Sequence, residues 1–214
     1  MGIKERKERE KLQRRVNIID AAEEVFFSKG YENSTMDDIA AKVELAKGTL
    51  YLYFNTKSEI CLSIAVRGLI LLREAIEKVA KQSTKSIEKL QELLQVCLQY
   101  QKEYPDYTKA LIRFRDFIEQ CHENNEMLSL AQVENDAIVA MIDTIIRDGI
   151  TEKSIIANID ASKLSIALWG QMSGFLPNQA FERTHTVKSN DESSEISSDP
   201  VDYLYQLLIQ GITC

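Results

Sequence analysis

Apolar residues recur at spacings of three and four along most of the chain, which is the period of an amphipathic helix. The longest runs predict helices from Thr56 to about Lys81, from Ser86 to Tyr104 and from Asn125 to Asp148, the last ending at Gly149. Helix-breaking residues are scarce, since the 214 residues include only 8 Gly and 3 Pro. Together these patterns predict an all-α fold.

Shorter features complete this outline. After Pro105, which stops the preceding helix, a further helix is expected from Tyr107 to about His122. A helix from Asp160 to Leu176, capped by its first residue, ends just before a proline. The polar, Ser-rich residues 182–199 predict a mobile loop. Another proline then opens a last helix, Val201 to about Gln210.

The stretch from Ser34 to Glu59 has a pattern of its own. It reads as two short helices joined by a tight turn and followed at once by the start of a third. Thr35 with Asp38, and Thr56 with Glu59, form capping boxes that mark two of these helix starts. This arrangement predicts a helix-turn-helix within a three-helix N-terminal domain.

The second helix of this unit has a polar and aromatic tip on an apolar spine. Leu50 and Phe54 are four residues apart, so they share the face that anchors the helix. A helix-turn-helix lays its second helix in the DNA major groove, and hydroxyls with one lysine suit that position. For the two tyrosines the alternative is packing within the small domain. The candidate DNA contacts on this helix and just after it are Lys47, Gly48, Thr49, Tyr51 and Tyr53.

Three separated blocks, Ile18–Tyr31, Ser34–Ala40 and Lys47–Glu59, resemble the TetR (tetracycline-repressor) family of bacterial transcription regulators. The resemblance implies a homodimer that binds a palindromic operator in double-stranded DNA. It also implies a larger helical domain that binds a small effector and then releases the DNA. The positions that commonly touch DNA in the family correspond here to Thr35, Lys47, Thr49, Tyr51, Tyr53 and Lys57.

Two residues depart from the family pattern. Glu44 stands in the turn where glycine is usual, so either it adopts a conformation that costs it more than glycine or the turn differs slightly. Ala46 replaces a residue that is commonly polar, so the recognition helix loses an N-cap hydroxyl worth ~1 kcal/mol. Neither change removes a side chain that would face the groove.

Charge is distributed unevenly along the chain. Residues 1–60 hold 11 Lys/Arg and 11 Asp/Glu, so residues 61–214 carry the net charge of −7. The first sixteen residues hold seven basic and three acidic side chains, net +4, without apolar periodicity. We expect this arm to lie outside the core and to meet DNA phosphates. The predicted domains are residues 1–60, the arm and helix-turn-helix, and residues 61–214, for effector binding and dimerisation.

Aromatic residues on the middle helices, with a few polar groups, are candidates for lining the effector pocket. Pockets are mostly apolar with a few placed polar groups, although aromatic residues at helical spacing also fit plain core packing. The sequence does not identify the effector. The candidates are Tyr100, Tyr104, Arg113, Phe114, Phe117, Met141, Trp169, Gln171 and Phe175.

Small residues form a ridge on the helix that starts at Asp160, and leucines follow on the last helix. Small residues let helices approach closely, so these two helices can pair with the same two of a second chain. By resemblance, the last two long helices of family members do this. The alternative is an intramolecular core. The candidate dimer residues are Ala167, Gly170, Ser173, Gly174, Leu204 and Leu208.

Other classes of protein find little support. The four cysteines are scattered without a CxxC pair, which favours a reduced, cytoplasmic protein. Cys121, His122 and Glu123 are adjacent and point in different directions on a helix, so no metal is expected. No run of about eighteen apolar residues predicts a membrane span, and the N-terminus lacks the apolar segment of a secretory signal.

The leading hypothesis is therefore a repressor that a small molecule releases from its operator. An enzyme is the competing class, but we find no phosphate-binding glycine loop and no nucleophile with a plausible histidine base. No catalytic residue and no cofactor is assigned. A third possibility is the same fold acting as an activator or through a protein partner.

Overall fold

Helices make up the architecture throughout residues 2–118, 126–175 and 200–213, which are the residues that the computed structural model describes. One isolated antiparallel β-bridge, between Ile155 and Thr213, lies outside the helices. The all-α prediction is confirmed. In chain order the helices are α1 (Ile3–Lys29), α2 (Met36–Lys42), α3 (Lys47–Tyr51), α4 (Lys57–Ala80), α5 (Ser86–Glu103), α6 (Pro105–Ile118), α7 (Glu126–Thr151), α8 (Ala161–Phe175) and α9 (Pro200–Ile212). None of these helices is long and apolar enough to cross a membrane.

Two apolar clusters hold these helices together. The N-terminal core joins α1, α2, α3 and the first turns of α4, around Ile18, Ile39, Leu50, Phe54 and Ile60. The C-terminal core joins the rest of α4 to α5, α7, α8 and α9, and its buried residues include Leu72, Leu90, Ile138, Ile142 and Trp169. Because α4 contributes to both clusters, it connects the helix-turn-helix to the larger helical part.

Helix α6 is the second link between the two cores. Tyr107, Leu111 and Phe114 pack against both clusters, and Ala110 is buried within the N-terminal core. The helix begins two residues earlier than the pattern predicted, at Pro105. The expected end near His122 lies outside the described residues, as does the expected loop over 182–199.

The end of α7 corrects the expectation that Gly149 terminates the helix. The helix continues to Thr151, and the left-handed residue that follows is Lys153, with φ +62°. The reason for glycine at 149 is close packing, because a Cβ there would lie 2.5 Å from the Ile155 side chain and 3.0 Å from Ser86 Cβ. The ends of α4 and α5 and the start of α8 agree with prediction to about one residue, whereas the predicted end of α8 at Leu176 lies outside the described residues.

Candidate nucleic-acid interface

The α2–α3 unit is positioned by local hydrogen bonds that the sequence pattern predicted. Thr35 caps α2, its hydroxyl accepting from the Asp38 amide at 3.1 Å while Asp38 Oδ2 accepts from the Thr35 amide at 2.9 Å. Hydrogen bonds from Lys29 and Thr35 lower the pKa of Asp38 to about 2. Thr56 caps α4 by accepting from the Glu59 amide at 3.1 Å. The capping box predicted here is not completed, because the Glu59 carboxylate accepts from the Asn55 amide at 2.7 Å instead of from the Thr56 amide. These bonds fix where each helix begins.

The turn between α2 and α3 contains both departures from the family pattern. Glu44 adopts the left-handed conformation, with φ +58°, at the position where glycine is usual. Ala46 is the N-cap of α3 and makes no side-chain capping bond. The left-handed conformation of Glu44 is the first of the two expected alternatives, and the missing side-chain cap at Ala46 is confirmed. A side chain in this conformation is less favourable than glycine.

Helix α3 buries one face and presents the opposite one to solvent. Leu50 and Phe54 are 0 and 1% exposed in the N-terminal core. Opposite them, a Cβ added at Gly48 would meet no atom within 4 Å. Tyr51 is 42% exposed and Leu52, which was not among the sequence candidates, is 79% exposed. The face formed by Gly48, Tyr51 and Leu52, hereafter the outer face of α3, is free to meet another molecule.

The remaining candidates on this unit differ in how far the protein itself engages them. Lys47 is exposed and its Nζ lies 2.8 Å from Asp37 Oδ1, a hydrogen-bonded pairing that raises the pKa of Lys47. Thr49 is half-buried. Tyr53 is also half-buried against the N-terminal core, and its carbonyl accepts from Arg15 Nη1 at 2.9 Å. Tyr53 therefore shows the packing that was the alternative for this residue.

Lys57 is engaged within the domain. Its Nζ donates to the carbonyls of Tyr31 at 2.7 Å and Ser34 at 2.8 Å, and it lies 4.1 Å from the centre of the Tyr31 ring. Two of its three donors are thus used to hold the loop between α1 and α2. The structure gives this lysine a structural role that the sequence did not reveal.

The basic arm forms the first half of α1, a continuous helix of 27 residues. Residues 4–14 are all exposed, in agreement with the expectation that the arm lies outside the core. Its helical spacing places Lys4, Lys7, Lys11 and Arg14 along one stripe. The stripe ends beside Arg15, which lies 4.4 Å from the centre of the Phe54 ring and binds the chain just after α3.

Comparison with known proteins agrees with this geometry. Residues 18–64, which run from the second half of α1 into the first part of α4, match the tetR family of bacterial regulatory proteins. The helix-turn-helix part of the chain belongs to this family. The chain is a DNA-binding transcription regulator.

Similarity extends beyond the helix-turn-helix. The chain is 26% identical over 207 residues to the fatty acid metabolism regulator protein of Bacillus subtilis, covering 95% of this chain and 98% of that one. Its fold is similar to the crystal structure of FadR from Bacillus subtilis in complex with stearoyl-CoA, with TM-score 0.59, 20% identity and coverage of 91% and 95%. It also resembles a tetR-family regulatory protein from Rhodococcus RHA1, with TM-score 0.64, 17% identity and coverage of 94% and 97%. These relatives are regulators rather than enzymes.

Polar contacts connect α6 to the helix-turn-helix domain. The Tyr107 hydroxyl donates to Glu23 Oε1 at 3.0 Å, and the Tyr107 ring packs edge-on against Phe27 at 5.3 Å. Burial, together with the charge of Glu23, raises the pKa of Tyr107 to about 12. Arg67 of α4 also reaches Glu23, at 3.1 Å. Helices α1, α4 and α6 therefore share one carboxylate.

Arg113, a candidate polar group of the effector pocket, makes a second such junction. Its guanidinium pairs with Glu32 at 2.5 Å and lies 4.8 Å from the centre of the Tyr31 ring. The side chain thus faces the loop after α1. A sequence separation of 81 residues from Glu32 explains why this contact was not predicted.

The other pocket candidates do not converge on one space. Tyr100 is buried against α4, where its hydroxyl donates to the Gly68 carbonyl at 2.9 Å. Trp169 is buried and donates to Asn135 Oδ1 at 2.6 Å, whereas Gln171 on the same helix is exposed. Tyr104 is 40% exposed, and Phe114 and Met141 are half-buried against the cores. The side chains of Phe117 and Phe175 lie outside the described residues.

A cleft with a volume of about 340 Å³ lies elsewhere, between α5 and α9. Carboxylates and amides form its rim and Tyr205 part of its wall, and none of the sequence candidates lines it. The lining residues are Glu88, Gln91, Glu92, Leu94, Gln95, Tyr205 and Ile209.

The small-residue ridge on α8 faces outward. Ala167 and Gly170 are exposed, and Ile166 beside them is 62% exposed. Ser173 and Leu208 are half-buried. The side chains at the two other candidate positions, Gly174 and Leu204, lie outside the described residues. In the single chain, the exposed part of the ridge is therefore not used as internal core.

Proposed function

We propose that the chain is a repressor that binds a palindromic operator as a homodimer and is released by a fatty acyl-CoA. The observation that carries the DNA-binding part is the outer face of α3. Its exposed side chains contribute nothing to the N-terminal core, yet they stand on a helix whose other face is completely buried.

The proposed DNA contacts follow from this placement. Gly48 and Tyr51 would approach base edges, with Lys47 and Thr49 beside them, because base contacts specify sequence. The cap hydroxyl of Thr35 and the basic stripe of α1 would meet phosphates, which position the protein on the duplex. Lys57 has one donor left for a phosphate, and Tyr53 would contribute mainly by supporting α3.

Dimerisation is proposed through α8 and α9. Ile166 is exposed beside the small residues Ala167 and Gly170, so a second helix could pack closely against this face and bury the isoleucine. Ile166→Glu would place an unpaired charge in that contact and should yield monomers. Operator affinity should then fall about 100-fold or more, since a dimer is needed to hold two recognition helices at two half-sites.

The control for this variant is Val133→Glu, because Val133 on α7 is 61% exposed, nearly the same as Ile166. Light scattering would measure the mass of both variants, and circular dichroism would verify that both fold. A dimeric Ile166→Glu protein would reject this interface.

The effector class is proposed from the relative that matches nearly the whole chain. That protein is a fatty acid metabolism regulator, and a similar solved structure is a complex with stearoyl-CoA. The C-terminal core of this chain is built from aliphatic residues of α4, α5, α7 and α8, with Trp169 and Met172. Such a helix bundle can take an acyl chain between its helices when they separate.

Release requires a connection from the C-terminal core to α3, and two helices provide it. Helix α4 contributes to both cores, while α6 binds α1 through Tyr107 and Glu23. A shift of either helix would change the spacing of the two recognition helices in the dimer. Tyr107→Phe should therefore alter the effect of effector on operator affinity, by about 0.5–2 kcal/mol.

The test uses full-length protein, an operator selected from a random duplex library, and acyl-CoA thioesters of increasing chain length. Operator affinity, measured by fluorescence anisotropy, should fall as a long-chain thioester is added. Reciprocity requires operator to weaken thioester binding by the same factor. In vitro transcription from the operator should decrease with protein and recover with thioester. Increased transcription would identify an activator, and thioesters that leave affinity unchanged would reject the effector class.

A further inference from the structure

Leu52 is the most exposed of the large apolar side chains in the described ranges, at 79%. Isolated surface leucines are common, so exposure alone does not assign a function. Its position is more informative, because it directly follows α3 and is flanked by Tyr51, which is 42% exposed.

The direction of Leu52 follows from helical geometry. The residue keeps right-handed helical angles, φ −72° and ψ −17°, so it continues the rotation of α3. It lies two residues after the fully buried Leu50, which is about 200° around the helix. It also lies one turn after Gly48, above which a Cβ would meet no atom within 4 Å. Leu52 therefore points away from the N-terminal core, toward the side of α3 that would enter the DNA major groove.

The chemistry of the major groove offers one apolar partner for such a side chain. Base edges there carry hydrogen-bond donors and acceptors, and the exception is the C5-methyl group of thymine. We propose that Leu52 reads a thymine in each half-site through contact with this methyl group. The inference rests on the proposed function, in which the outer face of α3 meets base pairs.

Folding does not explain a leucine at this position. Neither apolar cluster includes Leu52, in contrast to Leu50 and Phe54 on either side. The backbone amide of Leu52 bonds to the Thr49 carbonyl at 3.1 Å, and alanine would keep that bond. Leu52→Ala is therefore expected to fold like the wild type, which makes it a clean test.

The experiment first selects a binding site from a random duplex library with the full-length protein. Each thymine of the selected site is then replaced in turn by deoxyuridine, which lacks only the methyl group. With wild-type protein, one thymine per half-site should be sensitive. Its replacement should weaken binding about four-fold per half-site and about fifteen-fold when both are changed, as expected when one methyl group is no longer buried in each half-site.

Leu52→Ala should bind the thymine operator more weakly and lose the sensitivity to deoxyuridine at that one position. Val133→Ala, which removes an exposed aliphatic side chain from α7, should retain the wild-type profile. The proposal is overturned if Leu52→Ala keeps the full deoxyuridine effect, or if the selected site has no invariant thymine. It is also overturned if Leu52→Ala weakens binding while no thymine methyl matters, because Leu52 would then contact sugar or phosphate.

These outcomes are distinct from failure of the proposed function. If the library yields no enriched sequence, the sequence-specific DNA interface itself is rejected. If a site is enriched and Tyr51→Ala weakens it, while the methyl effect is independent of Leu52, only the role of Leu52 is rejected.

Discussion

The outer face of α3 and helix α6 both carry an aromatic side chain, but they use it in opposite ways. On α3, Gly48, Tyr51 and Leu52 face open space. On α6, Tyr107 and Arg113 are bound to carboxylates of the helix-turn-helix domain. The outer face of α3 is therefore available to an external partner, whereas α6 uses its side chains to join the two cores.

This difference separates recognition from transmission within one molecule. Substitutions on the outer face of α3 should change binding to DNA and leave stability intact. Substitutions at the contacts between elements should change stability or coupling, whatever the charge or aromatic character of the side chain. The following variants test this separation, starting with the largest expected effect.

Lys57→Met should destabilise the protein, although a basic residue just after a recognition helix suggests a phosphate contact. The change removes two hydrogen bonds to carbonyls and a cation–π contact with Tyr31. We expect the free energy of unfolding to fall by about 1–3 kcal/mol, measured by urea denaturation. Lys42→Met is the control, since its exposed pairing with Glu24 should contribute less than about 1 kcal/mol. Equal stability of the Lys57 variant and wild type would show that the engaged lysine is not structural.

Gly48→Ala should weaken binding to DNA without destabilising the protein. A Cβ meets no protein atom there, and alanine favours a helix over glycine by about 0.5–1 kcal/mol, so the melting temperature should stay equal or rise. Operator affinity should nevertheless fall about ten-fold, or ~1.4 kcal/mol, because the added methyl would stand between α3 and the groove. A variant that keeps full affinity would mean that the α3 backbone does not approach DNA closely.

The basic stripe of α1 extends the recognition surface and should act through charge alone. Replacing Lys7 and Lys11 with glutamine should reduce the slope of log affinity against log salt by about 0.9 for each phosphate that the arm no longer neutralises. The melting temperature should not change, since both residues are exposed. Glutamine at Lys102 and Lys163, exposed lysines of the larger part, is the matched control. An unchanged slope would place the arm away from DNA.

Glu44→Gly should give the smallest effect. Glycine adopts the left-handed conformation of this turn without the strain that a side chain adds, so stability should rise by about 1 kcal/mol. Glu44→Ala, which keeps the strain, should give no such gain. Operator affinity should remain the same in both, because the turn positions α3 without touching DNA. A gain with alanine would attribute the cost to the charge of Glu44 instead.

The same two regions differ in how well the sequence predicted them. The capping box at Thr35 and the hydroxyl cap at Thr56 depend on residues three positions away, so these bonds could be predicted. The left-handed conformation at Glu44 could be expected as well, because family members usually have glycine at this position. Leu52 was not predicted as a contact although its spacing from Leu50 places it opposite the buried face, because polar and aromatic groups are the usual signal of a DNA-binding helix.

The larger part was less predictable because its contacts join distant positions. Arg113 pairs with Glu32 and Trp169 with Asn135, across 81 and 34 residues. Helical periodicity places such residues on a face, but it does not say which helix covers that face. The candidate pocket residues are therefore scattered, whereas the helix boundaries around them were predicted well.

The central claim is that the outer face of α3 reads DNA sequence, and Tyr51→Ala tests it most directly. The measurement is the affinity of wild-type and variant protein for the selected operator and for a scrambled duplex at one salt concentration. We expect operator affinity to fall at least ten-fold, a decrease within the ~1–3 kcal/mol of a specific base contact, while affinity for the scrambled duplex stays the same. A variant that distinguishes the two duplexes as well as the wild type does would contradict the account.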